Sequence, residues 1–369
     1  MNMSGKQTTA LIIIFIYMAL TIVLGLVVSK RKAAKQAKQS NEDFLMAGKS
    51  LGPLVLAGTL FAANTGGAST TGIATNVYSY GISACWYVIA AGIGFVLVSF
   101  IAPYFRKAQA STVPQIIGKR YGKASHIFTA FTSIAALFMA TGAQIIATAS
   151  IINVVTGLDF RTAAIVITIV VIIYTMIGGF QSVAAANLMH VIVITVGMAV
   201  AMFVMLGNQQ VGGFAGLFAK AKTVTDSTGA SLDLLSMTKI GIPTVIGYIA
   251  MYFMTFPTGQ EIVPAIIGLM AYVCIDGYAS GPQKNALADA TMNFAPAVVA
   301  GIVLAAVVAA TMSSASGNMI DTATMFTNDV FRPYINGGKQ DDAKEIWISR
   351  VVMVIVGGVG LTRRQLPEF

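Results

Sequence analysis

The chain has 369 residues, of which 56% are hydrophobic and only 10% are charged, and its mean hydropathy is +0.78. This composition excludes a set of soluble domains and is typical of a protein that crosses a membrane several times. The net charge of +9 could suggest nucleic acid, but the basic residues sit in short loops between apolar runs, and we expect no nucleic-acid binding. Cys85 and Cys274 lie in apolar surroundings, which indicates neither a disulfide framework nor a metal site.

Ten apolar segments follow one another along the chain. The first is long enough to remain as a transmembrane helix rather than to be cleaved as a signal peptide. The second, fourth and ninth are longer than a bilayer requires, so we expect them to tilt, break or extend into water. In chain order the segments are 10–29, 53–79, 84–105, 125–156, 160–178, 181–206, 240–259, 262–279, 293–326 and 346–361.

Lysine and arginine are unevenly distributed between alternate loops. The loops after the first and third segments are rich in them, from Lys30 to Lys49 and from Arg106 to Lys123, whereas the alternate loops carry far fewer. Positive residues are retained on the cytoplasmic side. We therefore predict a multi-pass protein of the plasma membrane with its N-terminus outside and residues 30–52 in the cytoplasm.

A polar stretch interrupts the second segment. Between Phe61 and Gly72 it contains two adjacent glycines, an asparagine and four hydroxyl side chains. Backbone groups freed at membrane depth are tolerated only where protein, water or an ion satisfies them. One interpretation is a discontinuous helix that binds something at mid-membrane. The other is a face of small residues for close helix packing.

A second polar stretch lies in the ninth segment. Ala310, Ser313 and Ser314 have the spacing i, i+3 and i+4, which puts them on one face of a helix. A carbonyl and two hydroxyls directed at one point suit a monovalent cation such as Na⁺, and they avoid a costly carboxylate in the membrane. The alternative is that the two serines bond back to carbonyls one turn earlier and serve packing only.

Short motifs between about residue 10 and residue 360 are specific when taken together. They resemble those of the sodium/solute symporters, the family that includes proline, sugar, sialic-acid and pantothenate carriers. The matching residues are 43–52, 62–64, 78–81, 112–114, 120–122, 174–179, 259–261, 310–314 and 324–330.

The resemblance implies an all-α integral membrane protein with the inverted-repeat (5+5) transporter fold and discontinuous helices. It implies one transporter domain over 1–369, with an extra N-terminal helix at 10–29, a first repeat at 53–206 and an incomplete second repeat at 240–361. The implied sodium ligands are the carbonyls of Ala62, Thr65 and Ala310 and the hydroxyls of Ser313 and Ser314. The implied solute-binding residues are Asn64, Gly66, Gly67, Ala68, Phe256 and Gln260.

The sequence departs from the family pattern at several positions. The usual Thr-Asp pair is Ala186-Asn187, the following glutamine is His190, and the aspartate after the serine pair is Ser316. After Val263 the chain continues as if tens of residues were deleted. We also expect a truncated C-terminus that lacks the last core helix.

These observations predict sodium-coupled symport of a small organic solute by alternating access. An amino acid or carboxylate is weakly favoured as the solute, Na⁺ is the coupling ion, and no cofactor or enzymatic activity is expected, because no nucleophile–base or metal set shares one depth. The alternatives are a proton-coupled or uncoupled carrier and a non-transporting or relict module of the same fold. Asp321, past the serine pair, is either a solvated acid at a helix end or part of a cytoplasmic water pathway. The sequence does not predict the oligomeric state.

Overall fold

The computed structural model describes residues 4–33, 40–49, 51–108, 110–225, 231–254, 262–275, 278 and 285–359. Among these residues, five helical stretches are long and apolar enough to cross a membrane. Helices are expected there, because lipid offers no partners for backbone N–H and C=O groups. The five are Gly5–Arg31, Ala68–Phe105, Lys123–Thr156, Phe160–Leu206 and Ala297–Ile335.

Each of the ten predicted segments overlaps a helix. Two described stretches are π-helical, Ala68–Gly72 and Phe326–Ile335. The α-helices are α1 (Gly5–Ala33), α2 (Asn41–Met46), α3 (Pro53–Asn64), α4 (Ile73–Tyr80), α5 (Trp86–Lys107), α6 (Val113–Tyr121), α7 (Lys123–Thr156), α8 (Phe160–Leu206), α9 (Gly213–Ala221), α10 (Ile242–Met254), α11 (Ile262–Cys274), α12 (Ala286–Phe294), α13 (Ala297–Met325) and α14 (Asp342–Val359).

Helix α13 is the centre of the bundle. It packs against α1, α3, α7, α8 and α14, and nearly every side chain from Ala300 to Thr324 is buried. A helix that is apolar or small on all faces is compatible with a protein core or with lipid, and neighbouring helices surround α13 here. This position allows side chains of α13 to reach several other helices.

The N-terminal helix α1 packs against α8 and α13. The Ser29 hydroxyl donates to the carbonyl of Ile177 at 3.2 Å, and the Ser182 hydroxyl donates to the carbonyl of Gly25 at 3.1 Å. The hydroxyl of Tyr17 is hydrogen-bonded to Nδ1 of His190, which is fully buried. These bonds tie α1 to α8 along its length.

A kink at Gly179 divides α8 between the predicted segments 160–178 and 181–206. Gly179 has φ 60° and ψ −157°, a backbone conformation that residues with a Cβ rarely adopt. A Cβ there would also lie 2.3 Å from the carbonyl oxygen of Phe44 in α2. Glycine therefore permits both the backbone turn and the close approach of α2.

Candidate functional site

The interruption expected in the second segment is present. Helix α3 ends at Asn64, and Thr65 has extended backbone angles of φ −78° and ψ 92°. The chain becomes helical again at Ala68 with the π-helical turn that leads into α4. We call residues Asn64–Gly67 the break.

The local side chains satisfy some of the backbone groups at the break. The Gly66 amide donates to the Ser69 hydroxyl at 2.8 Å, and the Thr70 hydroxyl donates to the Gly66 carbonyl at 2.8 Å. The Gly67 amide donates to the side-chain oxygen of Gln144 in α7 at 2.6 Å. The hydroxyls that mark this stretch in the sequence thus support the backbone of the turn.

Among the described residues, the carbonyls of Ala62 and Thr65 are two of those at the end of α3 and in the break that have no hydrogen-bond donor. The Gly66 amide bonds to Ser69 instead of to Ala62 four residues earlier, and no amide of the following turn reaches Thr65. No described side chain donates to either carbonyl; those of Asn64 and Thr65 donate to Leu60 and Phe61 instead. Buried carbonyls normally have a partner, so the unpaired oxygens of Ala62 and Thr65 are suited to a cation.

The serine pair on α13 is buried, and its hydroxyls do not bond back to the helix. Ser313 donates to the side-chain oxygen of Asn187 in α8 at 2.8 Å. The Ser314 hydroxyl is buried and has no hydrogen-bond partner in the part of the chain that the structure describes. The packing-only alternative required both to bond to carbonyls of the preceding turn, as Thr311 does to Val307 at 3.1 Å.

The break lies alongside this part of α13. A Cβ at Gly67 would be 3.5 Å from Cγ2 of Thr311, and one at Gly317 would be 3.5 Å from Cβ of Ala63. These contacts flank Ser313 and Ser314 on both sides. The structure therefore brings the two predicted polar stretches together, with Ala310 buried one turn before the serines.

Sequence reasoning missed Gln144. It lies in the segment 125–156 three residues after Thr141 and four before Thr148, and this spacing of polar residues on one helix face was the available signal. Its neighbourhood joins α7 to α13, because the Thr148 hydroxyl donates to the hydroxyl of Thr311 at 2.6 Å. Asn187 was noted only as a departure from the family pattern, whereas its contact with Ser313 makes it part of the site.

The other predicted solute-binding residues divide into two groups. Asn64, Gly66, Gly67 and Ala68 are at the break, where the Asn64 amide donates to the Leu60 carbonyl at 3.0 Å. Phe256 and Gln260 lie outside the described residues.

Comparison with known proteins gives consistent matches. The model of the sodium:solute symporter family matches residues 44–275 and 244–367. The sodium/glucose cotransporter of Vibrio parahaemolyticus is 23% identical over 428 residues, covering 99% of this chain and 78% of the relative. The high-affinity proline transporter of Bacillus subtilis is 24% identical over 361 residues, covering 86% of this chain and 74% of the relative.

A solved structure has the same fold. It is a Na⁺-coupled sialic acid symporter in a substrate-bound, outward-open state, with a TM-score of 0.74 and 17% identity, covering 96% of this chain and 81% of that one. The predicted all-α transporter fold is therefore confirmed. The alignment with the Vibrio protein spans 428 positions against 369 residues here, so that relative has segments without a counterpart in this chain.

Proposed function

Because the chain belongs to the sodium:solute symporter family, we propose that it couples Na⁺ entry to the transport of a small organic solute by alternating access. The observation that carries the proposal is the partnerless Ser314 hydroxyl, buried where α13 meets the unpaired carbonyls of the break. A buried hydroxyl without a hydrogen bond is costly, and a bound cation would remove that cost.

Sodium would lie between α3 and α13. Its proposed ligands are neutral oxygens, which replace the hydration shell without a buried carboxylate. Ser313 can contribute as well, because donation of its proton to Asn187 leaves its oxygen lone pairs available. The proposed set is the carbonyls of Ala62, Thr65 and Ala310 and the hydroxyls of Ser313 and Ser314.

The solute would bind beside the ion at Asn64, Gly66, Gly67 and Ala68, together with Phe256 and Gln260 from outside the described residues. An amino acid or carboxylate is favoured, because backbone amides at a broken helix attract an anionic group. The Gly67 amide already donates to Gln144, so a carboxylate would have to displace that side-chain oxygen. The position of the Gln144 side chain would then depend on whether the solute is bound.

Coupling follows if ion and solute stabilise the same conformation of the break. A membrane potential of roughly 100 mV contributes about 2.3 kcal/mol per sodium ion, which supports accumulation on the order of 50-fold. We further propose that the protein lies in the plasma membrane with its N-terminus outside and residues 30–52 in the cytoplasm, as the loop charges favour.

Uptake in proteoliposomes tests the function. Radiolabelled proline, glucose and sialic acid, the solutes named in the relatives, form the first panel, followed by other amino acids and carboxylates. We expect an inward sodium gradient to stimulate uptake of at least one solute. Replacement of both Ser313 and Ser314 by Ala should abolish the stimulation, whereas Ser316→Ala should retain it, because that hydroxyl donates to the Ser313 carbonyl, which is not a proposed ligand. Unchanged sodium dependence in the double variant would refute the assignment.

Proton coupling is the second candidate, and Asp321 is the observation that favours it. This carboxylate lies within α13 rather than at its end, is exposed, and follows Ser314 by seven residues, close to two turns of the same face. Uptake in sodium-free buffer with an imposed pH gradient separates the candidates. Stimulation by that gradient would favour protons, and its absence would favour sodium.

A further inference from the structure

A cleft of about 460 Å³ lies away from the break, between α6, the start of α7 and the π-helical stretch after α13. A close approach of α6 to α7 forms one wall, since a Cβ at Gly118 would lie 2.7 Å from Cβ of His126. The cleft is lined by Gln115, Gly118, Lys119, Lys123, His126 and Tyr334.

The cleft carries positive charge that no carboxylate pairs with directly. Lys119 and Lys123 are exposed, and among the described residues neither forms an ion pair. The Lys119 ammonium donates to the Ala108 carbonyl at 2.9 Å, and the Lys123 ammonium lies 4.9 Å from the centroid of the Tyr334 ring. Both retain donors for a further acceptor, because an ammonium has three.

A buried aspartate organises the base of the cleft. One carboxylate oxygen of Asp329 accepts from Thr112 at 2.8 Å and from Gln115 at 2.9 Å, and lies 3.2 Å from Nε2 of His126. The other ring nitrogen of His126 is 3.2 Å from the Tyr334 hydroxyl. Asp329 therefore holds Thr112, Gln115 and His126 in place, and it forms an ion pair with neither lysine.

The cleft lies at the ends of two candidate membrane spans. Lys123 begins one candidate span, and Tyr334 is the second-last residue of another. Between Lys123 and Phe131, the exposed side chains of α7 are apolar: Ile127 is 45% exposed, and Phe128 and Phe131 are each 71% exposed. An anionic group in the cleft would thus be adjacent to a surface suited to acyl chains.

We propose that this cleft binds the phosphate group of an anionic phospholipid. Lysine ammonium groups are strong phosphate donors, and basic pockets between helices at a membrane surface suit charged headgroups. Free inorganic phosphate shares this chemistry, but the exposed apolar side chains beside the cleft favour a lipid.

The test is lipid-dependent thermal stability of the purified chain in neutral detergent. Dioleoylphosphatidylglycerol should raise Tm, whereas dioleoylphosphatidylcholine and inorganic phosphate should not. Lys119→Gln together with Lys123→Gln should raise the phosphatidylglycerol concentration needed for half of the Tm increase about 30-fold, from roughly five- to sixfold per lysine. Lys119→Arg with Lys123→Arg should retain it, because the charge is kept.

A matched control is Lys220→Gln with Lys222→Gln, which removes the same charge from two exposed lysines at and after the end of α9. This control should respond as the unaltered chain does. If phosphatidylglycerol raised the Tm of the Lys119→Gln, Lys123→Gln variant as it raises that of the unaltered chain, the proposal would be overturned. A Tm increase with inorganic phosphate that matches the lipid response and requires the same lysines would overturn the lipid as the source.

Discussion

At the scale of residues, Asn187 places a neutral side chain beside the candidate sodium site. Its side-chain oxygen accepts a hydrogen bond from the Ser313 hydroxyl, while its amide nitrogen is buried and has no partner among the described residues. The family pattern has an aspartate at this position. An asparagine orients the serine but supplies no negative charge to the cation.

Replacing Asn187 by Asp should therefore tighten sodium binding. A carboxylate next to the cation gains Coulomb energy that exceeds the asparagine's dipole, and we expect half-maximal stabilisation at a sodium concentration about tenfold lower. The same buried charge should lower Tm when sodium is absent, because nothing then compensates it. Thermal unfolding over a sodium titration, with potassium holding ionic strength constant, measures both effects. A sodium midpoint equal to that of the unaltered chain would place Asn187 outside the ion's influence.

At the scale of elements, the kink in α8 depends on one glycine. Gly179→Ala combines an unfavourable positive φ with a contact of 2.3 Å to a backbone oxygen of Phe44, which cannot move as a flexible side chain would. We expect a loss of at least about 2 kcal/mol in unfolding free energy, seen as a lower Tm in detergent.

Gly92→Ala in α5 is the control for this substitution. No atom lies within 4 Å of a Cβ there, and Gly92 does not have a positive φ. Alanine should leave stability unchanged or increase it by up to about 1 kcal/mol, because glycine is the poorer helix former. Equal Tm values for the two variants would contradict the role given to Gly179.

The interruptions in the helices could be predicted from the sequence because they are local. The Gly66-Gly67 and Gly178-Gly179 pairs disfavour continuous helix wherever they occur, and the nearby hydroxyls supply replacement hydrogen bonds. The partners across the bundle could not be predicted in this way. Ser313 and Asn187 are 126 residues apart, and only the packing of α13 against α8 decides which side chains meet.

At the scale of the whole molecule, an ion pair joins separate parts of the chain at one end of the bundle. Arg332 donates two hydrogen bonds to the Glu345 carboxylate, at 2.7 and 2.6 Å, and the Asn41 amide donates to it at 2.8 Å. The side chain of Glu345 is fully buried. The start of α14, the end of the π-helical stretch and α2 are held together by this carboxylate.

Arg332→Ala should destabilise the protein by about 3–5 kcal/mol, because it leaves a buried carboxylate without its countercharge. Lys344→Ala is the neighbouring control: its 3.2 Å pair with Asp341 is exposed, and such pairs contribute about 0–1 kcal/mol. Thermal unfolding of both variants in the same detergent compares them. A small, equal decrease in Tm would show that the Arg332 pair contributes no more than a surface contact.

The membrane class and the helical segments could be predicted from the sequence pattern, whereas the pairing of the two polar stretches was implied by the family resemblance. The core position of α13 could not, since its apolar and small residues are equally compatible with lipid. The support of the break by Gln144 also depends on tertiary packing, because α7 is distant from α3 in the chain.

The central claim is that Ser314 and the break share a sodium ion. Equilibrium binding of radiolabelled sodium to the purified chain, with potassium as competitor, tests it most directly. The unaltered chain and Ser316→Ala should bind sodium saturably. Ser314→Ala should bind at least about tenfold more weakly, because a hydrogen-bonding group that meets a charge contributes about 1.5–3 kcal/mol. Sodium binding by Ser314→Ala that equals that of the unaltered chain would contradict the account.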